Sequence, residues 1–437
     1  MLDVVARLER GGYEAWCVGG AVRDALLGIP SLDWDLATSA EPSVVQRLFR
    51  RTVPKGIEFG TVGVFDRAGA LHEVTTFRRD VETDGRHAVV RFGASLIDDL
   101  ARRDFTINAI AYRPATGEVV DPFDGAGDVA RRLVRSVGDA AARMREDRLR
   151  ALRAIRFAAR FGFAIESATW AAIVASAPFL TRLSPERVRE EIEKTMRQVR
   201  CPSHALLRWR DAGALAALVP ALALQSHAAL STADHLGVPG IERRPQRLPN
   251  RLAAPWLGVS RTEVERGLRA LRASNHEVRW TTDLTERAGR LLERARAALT
   301  RDVRPTDGEL RRWAATCGRT LTAACLRLIA ARFSAERIAT DRSVAEYDAV
   351  GIARPARVPS AAAVRSAYRR VVRIAFNDPI ELADLAVSGS DLPRVGVPAG
   401  PAVGATLRRL LDEVVDDPGR NTRDWLLARA GELASLD

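Results

Sequence analysis

The chain has 437 residues, 47% of them hydrophobic and 28% charged, and a formal net charge of +12. A chain of this length suits two to four domains rather than one core, and it holds no apolar run of about 18 residues, which excludes a membrane-spanning helix. The positive balance suits a polyanionic partner, but Lys55 and Lys194 are the only lysines and the skew to arginine is one that genome composition also produces, so the motifs must decide.

In chain order, residues 1–12 read as an amphipathic helix with Leu2, Val5 and Leu8 on one side and Gly11-Gly12 as its stop. The segment lacks the basic and apolar blocks of a signal peptide. Cys17, Cys201, Cys317 and Cys325 are scattered, and neither they nor the six histidines show metal-ligand spacing; Cys17 reads as a reduced core thiol. A cytoplasmic location is expected. Strands are predicted at 15–18, 32–37, 61–65, 71–77 and 108–113, alternating with short helices to about residue 138. From about 140 the pattern turns helical, most strongly at 146–161, 185–198 and 204–218, with weaker helices to about 300. The Pro-, Gly- and Arg-rich stretch 231–260 reads as a surface loop. Helix returns over 306–376, and a last pair lies near 403–433.

The densest chemistry lies early. Gly19-Gly20 opens a helix, so backbone N–H groups and the positive helix start can meet phosphate oxygens, with Arg23 as a further donor. Asp33-Trp34-Asp35 follows at once. On a strand, Asp33 and Asp35 share a face about 7 Å apart at Cα, within reach of two Mg²⁺ ions about 3.5–4 Å apart. Trp34 points the other way, into the core, and Leu32 and Leu36 favour an anchored strand over a solvated loop. Glu73 is either a third carboxylate or an ordinary strand residue; the sequence leaves both open.

A second constellation opens the helix expected from 146. Asp147, Arg150, Arg153 and Arg156 recur every three residues and form one polar stripe, beside an apolar stripe of Leu149, Leu152, Ile155 and Ala159. Such a stripe is often no more than a solvated face. It also has a specific chemical use. Cytosine and adenine both present an exocyclic amine beside a ring-nitrogen acceptor, and uracil and guanine present the reverse. Asp147 can accept from the amine and Arg150 can donate to the ring nitrogen.

These motifs, with Gly56-Ile57-Glu58-Phe59-Gly60-Thr61, Arg102-Arg103-Asp104-Phe105-Thr106-Ile107-Asn108-Ala109 and Ser184-Pro185-Glu186-Arg187, resemble those of the class II tRNA nucleotidyltransferases (CCA-adding enzymes), a group that also holds bacterial poly(A) polymerases. The resemblance is strongest over residues 13–200. It implies an α+β fold: a nucleotidyltransferase (polymerase-beta-like) mixed-sheet head over 1–138, then an all-α neck (139–200), body (201–305) and tRNA-binding tail (306–437). The implied reaction is template-independent addition of C, C and A to the tRNA 3′ end from CTP and ATP, with release of pyrophosphate. Asp33 and Asp35 would hold two Mg²⁺ ions. Gly20, Arg23, Arg103, Asp104, Asp147, Arg150, Arg153 and Arg156 would bind the nucleotide, with Asp104 near its ribose. The tRNA would be held by its acceptor and TΨC arms.

Residues 79–92 match the family's flexible loop, whose presence favours addition of the terminal A. The Gly-Ile-Glu-Phe-Gly-Thr form argues against a poly(A) polymerase. The alternatives are an enzyme that adds A only, a poly(A) polymerase, and, least favoured, a non-catalytic RNA-binding protein. Ser184 to Glu191 reads as a brace for the helix that carries Asp147. Beyond residue 200 the likeness thins to Gly213, Leu215 and Pro220, and to short segments at 386–392 and 400–404. No His-Asp dipeptide occurs, so an added phosphohydrolase domain is not expected.

Overall fold

A computed structural model describes residues 1–30, 34–83, 88–237, 247–347 and 357–436. The chain parts into two compact units, Met1–Thr195 with His204–Val219, and Met196–Ser203 with Pro220–Asp437.

The first unit is built on a mixed sheet. Its strands and those of a separate ribbon are β1 (Ala15–Val18), β2 (Asp35–Thr38), β3 (Thr52–Pro54), β4 (Thr61–Phe65), β5 (Leu71–Thr76), β6 (Arg78–Thr83), β7 (Ala88–Phe92), β8 (Ala111–Arg113) and β9 (Glu118–Val120). Seven of them pair in the order β3-β4-β5-β2-β1-β8-β9, with β2 parallel to β5 and the other pairs antiparallel. Strand β1 is buried throughout because both its faces are covered. Ala15 and Cys17 face a core with Leu36, Val62 and Val74, whereas Trp16 and Val18 face a second core with Ala37, Phe77 and Leu100. Burial pushes the Cys17 thiol up to about 12, as befits an inert core group. Trp34 packs on the Leu36 side, opposite to Asp35.

The expected loop at 79–92 is largely the antiparallel ribbon β6–β7; residues 84–87 lie outside the described residues. The expected strand 108–113 shortens to β8, preceded by a turn of 3₁₀ helix at Thr106–Asn108. The helix expected over 146–161 begins only at Leu149 and runs to Phe161, and a separate helix, Ala140–Glu146, precedes it. Asp147 breaks them with extended backbone (φ −148°, ψ 105°), and its carboxylate accepts from the Leu149 N–H at 3.0 Å. This is local side-chain competition with the helix ladder. Likewise 204–218 splits into Ser203–Asp211 and Ala214–Leu218 at Gly213, which has φ +82°.

In the second unit the long helices are Asn275–Leu299, Thr322–Tyr347, Ala361–Asn377 and Pro401–Asp416. The loop expected at 231–260 contains the helix Arg247–Ala253. One core of this unit gathers Leu392, Leu410, Val414, Leu426 and Ala430 between the last two helices and the turn before them. Among the described residues, no helix is long and apolar enough to cross a membrane.

Candidate active site

Gly19 ends β1 with φ +75° and ψ −133°, a conformation that only glycine adopts without strain. A Cβ at this position would lie 2.8 Å from Arg103 Nη1 and 3.8 Å from Asp35 Oδ2. The missing side chain therefore leaves a cradle walled by a guanidinium on one side and a carboxylate on the other. Arg103 is held there by Asp99 at 3.1 Å and by the Asn108 carbonyl at 3.5 Å, and its Nε is buried without a hydrogen-bond partner. Gly20 begins the helix Gly20–Leu26, and its neighbour across the cradle, Asp35, begins β2 and is half-buried. One step back along the β2–β5 register from Leu36 opposite Val74 sets Asp35 beside Glu73, whose carboxylate lies 3.6 Å from Lys55 Nζ.

Arg23, expected as a donor to phosphate, sits inside the fold. It is buried (3% exposed) against the rings of Phe157 and Phe161, and its guanidinium donates to Asp24 and to Asn108 Oδ1. In this position it fastens the Gly20–Leu26 helix to the helix Leu149–Phe161.

Asp104 likewise turns inward. One oxygen accepts from its neighbour Phe105 N–H and from Asn108 Nδ2, both at 2.9 Å; the other accepts from Arg153 Nε at 2.9 Å and Nη2 at 2.7 Å. Burial works against its charge, but Arg153 and the Asn108 amide outweigh that and hold the carboxyl below the usual range. Four hydrogen bonds engage its two oxygens, and through them it orients Arg153.

The helix Leu149–Phe161 lies against this segment. Arg150 donates to the Arg102 carbonyl at 3.2 Å, to the Arg143 carbonyl at 3.1 Å and to Glu146 at 2.7 Å. Three of its five N–H groups are thereby fixed and two remain. Asp147 accepts from Leu149 N–H and from Arg187 at 2.7 Å, which leaves lone pairs open. Arg156, expected to bind the nucleotide, is 3% exposed and paired with the buried Glu191 at 2.7 Å. The stripe thus continues from Asp147 through Arg150 and Arg153, then dives into the core. Arg187 and Glu191 both belong to the helix Pro185–Gln198, which is the brace that the sequence suggested.

The chain matches the family model for the Poly A polymerase head domain over residues 15–135, and that for the probable RNA and SrmB-binding site of polymerase A over 162–225. It is 35% identical to the CCA-adding enzyme of Limosilactobacillus fermentum, across 98% of this chain and 96% of that one. The chain belongs to the CCA-adding enzyme family. Its fold superposes on the crystal structure of the Bacillus stearothermophilus CCA-adding enzyme in complex with CTP with a TM-score of 0.72, 31% identity and coverage of 100% of this chain and 97% of that one. The Thermotoga maritima CCA-adding enzyme complexed with tRNA shares the fold at 21% identity and a TM-score of 0.62.

Members of this family act on nucleotides, and the cradle suits a triphosphate with divalent ions. A hard carboxylate at the mouth of an open backbone pocket is a donor type that fits Mg²⁺. Asp35 supplies one; Asp33 lies outside the described residues. Among the described residues no group of three or more His, Cys, Asp or Glu side chains is placed to hold a metal. Two residues that sequence reasoning gave no role hold the family site together. Asn108 ties Arg23, Arg103 and Asp104 into one joint, and Asp99, with its side chain 1% exposed, anchors both Arg102 and Arg103. Asn108 stands inside the quoted Arg102–Ala109 motif, which was the available signal; Asp99 looks like an ordinary helix-surface acid.

Proposed function

We propose that this chain adds C, C and A to the 3′ end of tRNA, using CTP and ATP and no nucleic-acid template. The observation that carries the reading is the continuity of Asp35, Gly19 and Arg103 with Arg150 and Asp147 through the segment Arg102–Asp104, so that a triphosphate seat and a base-reading pair share one wall.

The backbone N–H of Gly20, at the start of its helix, and the guanidinium of Arg103 bind the triphosphate, while the Gly19 N–H donates to the Ile110 carbonyl at 3.4 Å. Asp147 accepts from the exocyclic amine of cytosine or adenine, and Arg150 donates to the ring nitrogen beside it. Both side chains are pinned by protein partners yet keep open valences, so recognition costs little reordering. Asp33 and Asp35 would hold two Mg²⁺ ions, which when bound lower the pKa of the primer hydroxyl and neutralise charge on the triphosphate. The 3′-oxygen of the primer bonds to the α-phosphorus in line, the bond to the β-phosphate oxygen breaks, and pyrophosphate leaves with the electron pair. Most of the acceleration comes from orientation. The helical second unit receives the acceptor and TΨC arms of tRNA through shape and phosphate contacts.

The test uses three tRNA transcripts ending before CCA, after C and after CC, each incubated with Mg²⁺ and CTP, ATP or both, and sized by mass. Completion of CCA on the shortest primer is the expected result. Addition of A alone, and only to the primer ending in CC, would replace this reading with an A-adding enzyme.

A further inference from the structure

The short helix Leu96–Ala101 serves both halves of the site. Its start is fixed by a capping box, in which the side chains of Ser95 and Asp98 each accept from the other's backbone N–H. Leu96 and Leu100 bury themselves in the core with Trp16, Phe77 and Ala109. The end of the helix leaves carbonyls without helical partners, and arginines take two of them. The Ala101 carbonyl accepts from Arg143 at 3.4 Å, and the Arg102 carbonyl accepts from Arg150 at 3.2 Å. The arginine assigned to base reading is thus hung on the end of this helix.

Asp99 stands on the same helix. One of its oxygens accepts from Arg102 Nε at 3.0 Å and Nη2 at 2.8 Å, and the other accepts from Arg103 Nη2 at 3.1 Å. The two arginine side chains are 17% and 18% exposed, whereas the carboxylate that holds them is 1% exposed. A buried ion cluster is a poor source of stability, because desolvation consumes much of the attraction. What it supplies is fixed direction, and here direction has two uses. Arg103 is aimed at the Gly19 cradle, where a Cβ would meet its Nη1 at 2.8 Å. Arg102 folds back by three residues onto Asp99, which ties down the residue whose carbonyl holds Arg150. One carboxylate therefore governs both the cation of the triphosphate seat and the support of the base reader. We propose that Asp99 is a positioning residue that couples the two, so that the base is read at a fixed distance from the seated triphosphate. This rests on the function proposed above and adds a determinant of its specificity.

The test measures equilibrium binding to the full chain, with Mg²⁺ and without tRNA, of CTP, UTP and inorganic triphosphate, which carries no base. A thermal melt and the CCA-completion assay run alongside. D99N should lose at least about tenfold in affinity for inorganic triphosphate, and its preference for CTP over UTP should fall by at least about tenfold. R103A should lose the triphosphate affinity and keep the preference, and R102A should do the reverse. The control is D128N, which neutralises a carboxylate equally buried and equally shared by two arginines, Arg131 at 2.7 Å and Arg135 at 2.8 Å. It should melt earlier and leave both quantities within about twofold of the parent chain. An unchanged preference in D99N would overturn the coupling, as would equal losses in D128N. If D99N melts too early to be measured, R102A and R103A carry the comparison, and an unchanged preference in R102A overturns the proposal. A parent chain that prefers CTP but extends no tRNA would overturn the catalytic reading and leave this one standing. One that completes CCA but binds CTP and UTP alike would overturn this proposal alone, and one that binds no triphosphate would overturn both.

Discussion

Gly19 shows how little freedom the site leaves a single residue. A methyl group there forces φ +75° on an L side chain and meets Arg103 at 2.8 Å. Gly19→Ala should cost about 1–3 kcal/mol of stability from backbone strain alone, read from a denaturant midpoint, and should raise the KM for CTP by displacing the guanidinium. Asp35→Ala, and equally Asp33→Ala, should abolish transfer while tRNA still binds in a mobility-shift assay; turnover in both variants would remove the metal assignment. Asp147→Ala or Arg150→Ala should relax the choice of C and A, and unchanged rejection of UTP would sink the base-reading pair. Asp104 gives a pH prediction. Its carboxyl is held below the usual range in the fold, so its contribution to stability is complete above the unfolded value of about 3.9 and is lost as pH falls through the folded value. The stability gap between the parent chain and Asp104→Asn should therefore narrow on acidification below about pH 4, as acid-range denaturation curves would report.

At the scale of elements, the helix Pro185–Gln198 buries Val188 and Met196 and is tied to the preceding segment by two ion pairs, Arg187 with Asp147 and Glu191 with Arg156. The second pair is buried on both sides. Glu191→Ala would remove the buried carboxylate that pairs with Arg156 and should cost about 3–5 kcal/mol, measured by chemical denaturation; a change below about 1 kcal/mol would mean that the pair adds little to the fold. Elements with strong periodicity were legible in the sequence: β1, β4 and this helix stand at the residues predicted. Strands β3 and β9 were not, because three residues give no alternation to read. The ribbon β6–β7 was hidden by its polar composition. The break at Asp147 escaped notice because periodicity runs unbroken through it, while the deciding event is a hydrogen bond from Leu149 N–H to the Asp147 side chain.

At the scale of the whole molecule, a net charge of +12 acts as a long-range field. Affinity for tRNA should fall steeply with salt, whereas the KM for CTP should change much less, since a triphosphate meets few of these charges; equal salt dependence of the two would argue against an extended RNA surface. The sequence by itself determined the residue types of the site and their order: the glycine pair, the Asp-Trp-Asp step, Arg103-Asp104 and the Asp147–Arg150 spacing, because backbone approach, metal charge and base polarity each demand particular groups. It did not determine which arginines remain open to a ligand. Helical spacing tells which face a side chain occupies, not what covers that face. Arg156 is closed by Glu191, 35 residues away, and Arg23 by Asn108, 85 residues away, with two phenylalanine rings around it. Only the packing of distant segments, which sets burial, distinguishes the covered Arg23 and Arg156 from the partly exposed Arg103 and Arg150.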